Sequence, residues 1–398
     1  MTSDTVLIAA LSGRGLAASA RRAGFAPLVA DAFGDTDTAD LAAAARCVTD
    51  AARIGFRTKP TLSALAQLEQ TTSRPPIGLV FGSGFEDRPK LITVLSRRYR
   101  LLGNDAATVA RAKDPAAITT LLDSLDIPHP ETTLAPPAQK DDWLSKRIGG
   151  SGGTHIVPAD GAEQTTRRYY QRRLDGTPYS VLALTGAEGA RVIAMSRQWS
   201  AGCGPRPYRY GGAVGPVSLA PAIETAMRTA TERLCAALGL VGLVSFDFIL
   251  AGETPYLLEI NPRPSATLDI FDDAAGALFK AHIAACSDGR LMPLPSPDEH
   301  RAAAILYADR GPLRVGNLAW PPWTADRPAP GSRIPRYRPI ATVFAHGPTP
   351  EATLDSCRQR LDELGEMLYG QARNMERNDN AEVQRPGPER LSARRQAR

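Results

Sequence analysis

The sequence predicts a mixed α/β protein made of more than one compact unit, and three observations carry that reading. Short apolar runs alternate with helix-forming stretches through about the first 105 residues, the signature of a parallel, doubly wound sheet. A strand-rich segment with frequent turn signals follows from Trp143 to about Ile193, as expected for a small antiparallel sheet. Further on, two apolar strands joined by a tight turn lie between two helical stretches. The chain has 398 residues, which is long for a single domain, and 43% of them are apolar, enough to fold completely.

The elements follow in order. Val6–Leu11 reads as a buried strand, followed by a glycine turn and a small-residue helix over Leu16–Ala23. Pro27–Ala30, Arg46–Thr49, Ile77–Phe81 and Tyr99–Leu102 repeat the short apolar strand. A proline-rich patch, Pro128–Pro137, marks the passage to the next unit. Ile223–Leu238 has helical apolar spacing; strands Leu243–Leu250 and Tyr256–Ile260 flank the turn Ala251–Gly252, and a helix is expected over Ile270–Ala285. Residues 311–346 are rich in Pro, Gly and Arg and read as a β-rich extension. A last helix begins where Thr349 can cap it and Pro350 can take its first position.

Composition excludes several classes. The net charge of +5 is concentrated at the end of the chain, where residues 371–398 hold seven Arg against four acids, a balance of +3 that leaves +2 for the other 370 residues. That is no footprint for nucleic acid, and the tail reads as disordered and solvated. Cys47, Cys203, Cys235, Cys286 and Cys357 lie at least 32 residues apart, which suggests neither a zinc site nor a disulfide framework. No signal-peptide pattern or membrane-length apolar run is present, so a cytoplasmic protein without a membrane partner is expected.

Two stretches carry the chemistry. Lys146 is followed by Gly149, Gly150, Ser151, Gly152 and Gly153, a point charge beside a loop whose amides can approach phosphate oxygens. Asp247 interrupts an apolar strand, where an acid is costly unless paired or metal-bound. Glu259 and Asn261 end the next strand and share a face, because side chains alternate along a strand. Two carboxylates and an amide oxygen suit Mg²⁺ accompanied by phosphates. His155, just past the loop, reads as a satisfied loop histidine. A rival signal lies at Ser12–Gly15 with Ala18 and Asp31, which mimics a dinucleotide fingerprint and would make the chain an NAD(P)-dependent oxidoreductase. Any tight strand-to-helix turn also favours glycine. A nucleotide-binding regulatory protein without turnover is a third reading.

In order and spacing these residues resemble the ATP-grasp carboxylate–amine ligases, from about Val6 to Phe344. The pattern comprises Lys113 ahead of Ile127-Pro128-His129-Pro130, Lys146, Ser151-Gly152-Gly153, Gln171 through Ser180, Asp247, and Glu259-Ile260-Asn261-Pro262-Arg263. The resemblance implies an ATP-grasp fold with a Rossmann-like domain (1–105), a small subdomain with the glycine loop (106–195), a large subdomain with the metal site (196–295), a β-rich extension with a final helix (296–370) and a disordered tail (371–398). It implies that Lys113, Lys146 and the loop grip ATP, and that the hinge Gln171 to Leu174, with Gln171, Arg172 and Leu174, reads adenine largely through backbone groups. Asp247, Glu259 and Asn261 would hold Mg²⁺, with Mn²⁺ as a substitute, and Arg263 would neutralise an acyl phosphate. The implied substrates are a small carboxylate and an amine, and a homodimer is compatible with the family.

Three departures mark this member. Arg147 follows the lysine where proline is common, Pro178 stands where an acid commonly binds ribose, and Ser245 replaces an arginine of some peptide-forming members. A finer resemblance, carried by Gly82–Glu86, Gln198-Trp199, Pro207–Pro216 and Glu259–Asp272, is to ATP-grasp proteins of methylofuran and tetrahydromethanopterin clusters in methylotrophs. It implies a ligase of tyramine–glutamate type. Arg206 and Arg209 would then hold carboxylates, and Trp199, Tyr208 and Tyr210 would stack an aromatic amine.

Overall fold

A computed structural model describes residues 3–162, 165, 167–297 and 299–383. At the N-terminus four parallel strands stand in the order Ala44–Cys47, Ala26–Asp31, Thr5–Ala10, Leu79–Phe81. Val6, Ile8 and Ala10 bury toward Leu16, Ala17 and Ala20 of the helix Arg14–Arg22, while Leu7 and Ala9 bury toward Leu65, Leu68 and Ile92 on the other side. Both faces are covered, which is why these strands read as continuous apolar runs rather than alternating ones. The strand expected at Tyr99–Leu102 is reduced to a single parallel bridge between Leu101 and Leu79.

The turn that mimics a dinucleotide site is closed by the chain itself. Gly13 has an ordinary helical φ of −87°, and a Cβ there would lie 2.4 Å from Val29 Cγ1, so the glycine serves packing. Arg14 is buried and donates to both carboxylate oxygens of Asp269, at 2.6 and 2.7 Å, and to Asp326 at 3.1 Å. Ser12 Oγ donates to the same Asp326 at 2.7 Å. The helix end offered by sequence to a pyrophosphate is thus taken by two internal acids.

An eight-stranded antiparallel sheet forms the centre, in the order Thr254–Asn261, Gly242–Ala251, Thr177–Gly186, Gly189–Ser200, Tyr210–Gly215, His300–Tyr307, Pro339–Gly347, Thr324–Ala325. A smaller sheet holds Thr132–Thr133, Arg168–Arg172, Trp143–Arg147 and Val157–Pro158. Thr177–Gly186 and Gly189–Ser200, expected within the small unit, pair in the central sheet, and at Gly176 the chain lies so close to the backbone of Leu250 that a Cβ would be 2.3 Å from its carbonyl oxygen. The extension is no separate unit, because His300–Tyr307 pairs with Tyr210–Gly215 and continues the central sheet.

The expected helix over 270–285 is split into Leu268–Phe271 and Ala277–Asp288, with Gly276 at φ +66° between them. The final helix runs Pro350–Val383, past the expected end at 370, with Ala352 N–H donating to the capping Thr349 Oγ1 at 3.2 Å. Of the expected tail, residues 384–398 lie outside the described residues. Among the described residues no helix is long and apolar enough to cross a membrane.

Asp35 is buried at the junction between the N-terminal sheet and the extension. Burial, then its neighbours Asp326, Asp31 and Asp37, push its carboxyl up to about 8. The folded state therefore keeps a proton that the unfolded chain releases near its ordinary 3.8, and stability falls as pH rises between these values. Urea denaturation at pH 6, 7 and 8 should show this decline in the wild type and a flatter profile in Asp35→Asn. An identical slope in the variant would refute the assignment.

Candidate active site

The strands Gly242–Ala251 and Thr254–Asn261 pair so that Asp247 stands opposite Glu259, and Ser245 opposite Asn261. Phe246, Phe248, Leu257 and Ile260 turn into the core, which leaves the two acids and the amide on the other face. Asn261 Nδ2 donates to Asp247 Oδ2 at 2.9 Å, and Gln198 Nε2 donates to Asp247 Oδ1 at 3.2 Å. Burial and the facing Glu259 push the Asp247 carboxyl up. Burial acts on Glu259 in the same sense, but the charge and hydrogen bond of Lys113, with Lys146 beyond it, outweigh it and hold that carboxyl down.

Lys113 caps the helix Ala106–Ala112 and reaches Glu259 Oε1 at 2.5 Å and Asn261 Oδ1 at 3.3 Å. Its approach is fixed by the proline turn after the next helix, where Leu257 N–H donates to Pro128 O at 2.8 Å. Lys146, on Trp143–Arg147, is buried and donates to Gln171 Oε1 at 2.5 Å. Burial pulls its ammonium pKa down despite the nearby Glu259 and Asp247. Both lysines thus converge on the acids, and a cavity lined by Ile118, Leu122, Leu257, Gln171 and Glu259 opens beside them.

The donor set fits a divalent cation. It consists of hard oxygens, and the Lys113 ammonium already lies across two of them, Glu259 Oε1 and Asn261 Oδ1, so the cluster attracts positive charge. Among the described residues no group of three or more His, Cys, Asp or Glu is placed to hold a metal ion by itself.

The glycine loop is folded down. Gly149, Gly152 and Gly153 all have φ between +67° and +69°. A Cβ at Gly149 would meet the Glu86 carbonyl at 2.8 Å, and one at Gly153 would meet the Tyr208 carbonyl at 1.9 Å. Gly150 lies against the ring of His155, within 2.5 Å for an added Cβ. His155 lines the cavity, its Nδ1 is buried without a partner, and burial pulls it down to about 4, so the ring is neutral. The structure therefore corrects the reading of His155 as a satisfied loop residue.

The hinge residues divide. Gln171 faces the cavity, but its amide is engaged by Lys146 and Thr132, the latter at 3.3 Å. Arg172 is exposed, with its guanidinium 5.9 Å from the Trp143 ring and its N–H given to Glu131 O at 2.8 Å. Leu174 lies beyond the strand end and does not line the cavity.

Arg263 is buried and donates to Glu86 Oε1 at 2.6 Å, while Gly84 N–H donates to Glu86 Oε2 at 2.6 Å. Glu86 was expected only as the end of the Gly82–Glu86 segment of the finer resemblance; it lies in the loop after the last N-terminal strand, at the carboxyl edge of the parallel sheet, where such sheets bind ligands. Arg209 is corrected. Only 1% exposed, it forms a two-pronged pair with Asp309 at 2.9 and 2.5 Å and lies 3.8 Å over the Tyr307 ring, so it is a scaffold residue. Arg206 donates to Tyr337 O at 3.1 Å. Tyr210 is packed in the core cluster, with its phenol pKa raised by burial, and Trp199 lies against Gly211 and Gly212. The three expected aromatic contacts, Trp199, Tyr208 and Tyr210, are all partly exposed.

Comparison with known proteins agrees with this geometry. Residues 112–267 match the family model described as ATP-grasp domain. The carbamoyl phosphate synthase large chain of Myxococcus xanthus is 22% identical over 249 residues, 56% of this chain and 23% of that protein. This chain therefore spans about a quarter of that relative's length. The biotin carboxylase domain of Hydrogenobacter thermophilus 2-oxoglutarate carboxylase, solved with MgADP and bicarbonate, superposes with a TM-score of 0.68 at 11% identity, covering 90% of this chain and 89% of that one. The L-amino acid ligase of Bacillus licheniformis gives 0.65 at 14%, covering 91% and 98%. The fold is the ATP-grasp fold.

The Arg263–Glu86 pair is nearly dry, with side chains 9% and 3% exposed. Removing one partner leaves a buried uncompensated charge, so Glu86→Ala should cost about 3–5 kcal/mol of stability. Urea denaturation checks this, and a loss below ~1 kcal/mol would mean that the pair is solvated.

Proposed function

We propose that this chain, a member of the ATP-grasp family, is an ATP-dependent carboxylate–amine ligase. One observation carries the reading: Asp247, Glu259 and Asn261 share one face with Lys113 and Lys146 beside them, Asn261 Oδ1 also accepts from Arg263, and Lys113 and Glu259 line a cavity. A carboxylate oxygen of the acid substrate attacks the terminal phosphorus of ATP and ADP departs. The amine nitrogen then attacks the carbonyl carbon, and phosphate leaves with one former carboxylate oxygen. Lys113 and Lys146 bind the phosphates, and Arg263 offsets the charge of the acyl phosphate. Asp247, Glu259 and Asn261 would hold Mg²⁺ or Mn²⁺, which supplies charge neutralisation on the phosphate chain. The glycine loop and the neutral ring of His155 keep water from the phosphoryl group.

The finer proposal is glutamate joined to an aromatic amine such as tyramine. Its support is the likeness of Gly82–Glu86 and Glu259–Asp272 to the methylotroph ligases, together with the half-exposed Tyr208. With Arg209 engaged by Asp309, the substrate groups are assigned to the crevice beside Glu86 and Arg263. A cytoplasmic location and a homodimer complete the reading, the biotin carboxylase domain above being itself described as a dimer. The oxidoreductase reading loses its anchor, since Arg14 and Ser12 fill the turn it requires. The regulatory reading leaves the intact acid pair unused.

Asp247→Asn and Glu259→Gln should each lower substrate-dependent phosphate release at least about a hundredfold while the protein stays folded. Activity within a few-fold of wild type in both would sink the metal assignment. A screen of carboxylic acids against amines, with glutamate and tyramine among them, identifies the pair. With ¹⁸O in that carboxylate, one labelled oxygen should appear in the released phosphate; unlabelled phosphate would rule out the acyl-phosphate route.

A further inference from the structure

The glycine loop rests on two parts of the chain that lie outside its own sheet. Its first half meets the N-terminal domain, where Gly149 lies against Glu86 and Asp87. Its second half is seated on the backbone of residues 208–210: Gly153 lies against the Tyr208 carbonyl, and Tyr210 N–H donates to Gly152 O at 2.9 Å. That seat is the end of a tight reversal in which Ala201 N–H donates to Arg209 O at 2.9 Å and Arg206 N–H to Cys203 O at 3.1 Å.

What holds the seat is the C-terminal extension. Arg209 is the largest fully buried side chain of the protein. Its guanidinium is gripped by both oxygens of Asp309 and lies 3.8 Å from the centre of the Tyr307 ring, and Tyr307 Oη donates to Tyr210 O at 2.7 Å. Arg206 adds a bond to Tyr337 O at 3.1 Å. None of these groups reaches the acids or the lysines of the site. A two-pronged, stacked arginine is a rigid connection, because its planar fork fixes orientation as well as distance.

We infer that Asp309 and Tyr307 are positioning residues: through Arg209 they fix the seat on which the glycine loop closes, and so couple the extension to nucleotide retention. The nucleotide half of this inference rests on the ligase reading above; the seat itself does not. Loss of the Asp309 charge should loosen residues 208–210, free the Tyr210 amide and leave the loop open for a larger fraction of time, with the phosphate-binding groups untouched.

The test uses the full chain and three variants: Asp309→Asn, Tyr307→Phe, and Glu366→Gln as a control, since Glu366 pairs with Arg310 at the surface next to Asp309. Hydrogen exchange of the nucleotide-free protein should show the Tyr210 amide and residues 149–153 exchanging about tenfold faster in Asp309→Asn, a change of about 1.4 kcal/mol in opening. Tyr307→Phe should show a smaller rise, Glu366→Gln none, and Asp309→Glu should restore protection. Unchanged exchange in a folded Asp309→Asn, or an equal rise in Glu366→Gln, would overturn the inference. Should Asp309→Asn fail to fold, Tyr307→Phe, which loses only a hydroxyl, decides by the same criterion. Titration with Mg-ADP then separates the two levels. If wild type binds and Asp309→Asn binds about tenfold more weakly, the coupling holds. Equal affinities overturn it. Wild type that does not bind Mg-ADP would refute the nucleotide reading, while the exchange result still decides the seat.

Discussion

Two carboxylates facing each other across one hairpin are the constraint on which the rest of this structure depends. Asp247 and Glu259 lie opposite in register, and burial together with mutual repulsion disfavours charge on both. The strands themselves supply only a neutral partner, the Asn261 amide that donates to Asp247 at 2.9 Å, while Phe246, Phe248, Leu257 and Ile260 turn inward. The cations must come from elsewhere: Lys113 from the end of a helix, Lys146 from the smaller sheet, and Arg263 from the loop after the hairpin. Each of those elements is therefore fixed relative to the hairpin by electrostatics as well as by packing. Glu259 stays ionised because Lys113, with Lys146 beyond it, outweighs its desolvation.

The same logic joins the units to one another. Arg14, at the first helix of the N-terminal domain, meets Asp269 of the segment after the hairpin and Asp326 of the extension. Buried ion pairs of this kind contribute little net stability compared with apolar packing, but each is costly to break, so they define the relative placement of domains. Asn104 adds an uncharged latch, donating to Pro262 O and accepting from Val241 N–H. The crevice between the parallel sheet and the hairpin, where Glu86 meets Arg263, is held at a fixed width by these contacts.

Glycine acts here in two distinct ways. At Gly13 it lets a helix approach a strand, with an ordinary φ. In the loop after Lys146 it permits both left-handed backbone and direct seating of main chain on main chain, at Gly149 against one domain and at Gly153 against another. The cover over the site is thus shared between the N-terminal domain and the extension, and any shift of either is felt by the loop.

Much of the candidate site's layout was legible in the sequence. An acid within an apolar strand, and an acid and an amide two positions apart on the next, put Asp247, Glu259 and Asn261 on one face, because strand periodicity and the cost of burying charge are local rules. Lys146 with its glycines, and the cap at Thr349, follow from equally local chemistry. What the sequence could not assign was the use of side chains that find partners hundreds of residues away. Arg209 read as a substrate contact until Asp309 was placed beside it, and Ser12–Gly15 read as a dinucleotide turn until Asp326 filled it. Glu86 was seen only as the end of a resembling segment and His155 only as a loop histidine, because their surroundings depend on burial, which comes from several elements converging on one point. The merging of the extension into the central sheet was hidden for the same reason. Backbone pairing between strands some 90 residues apart leaves no local pattern, and only the folded chain decides it.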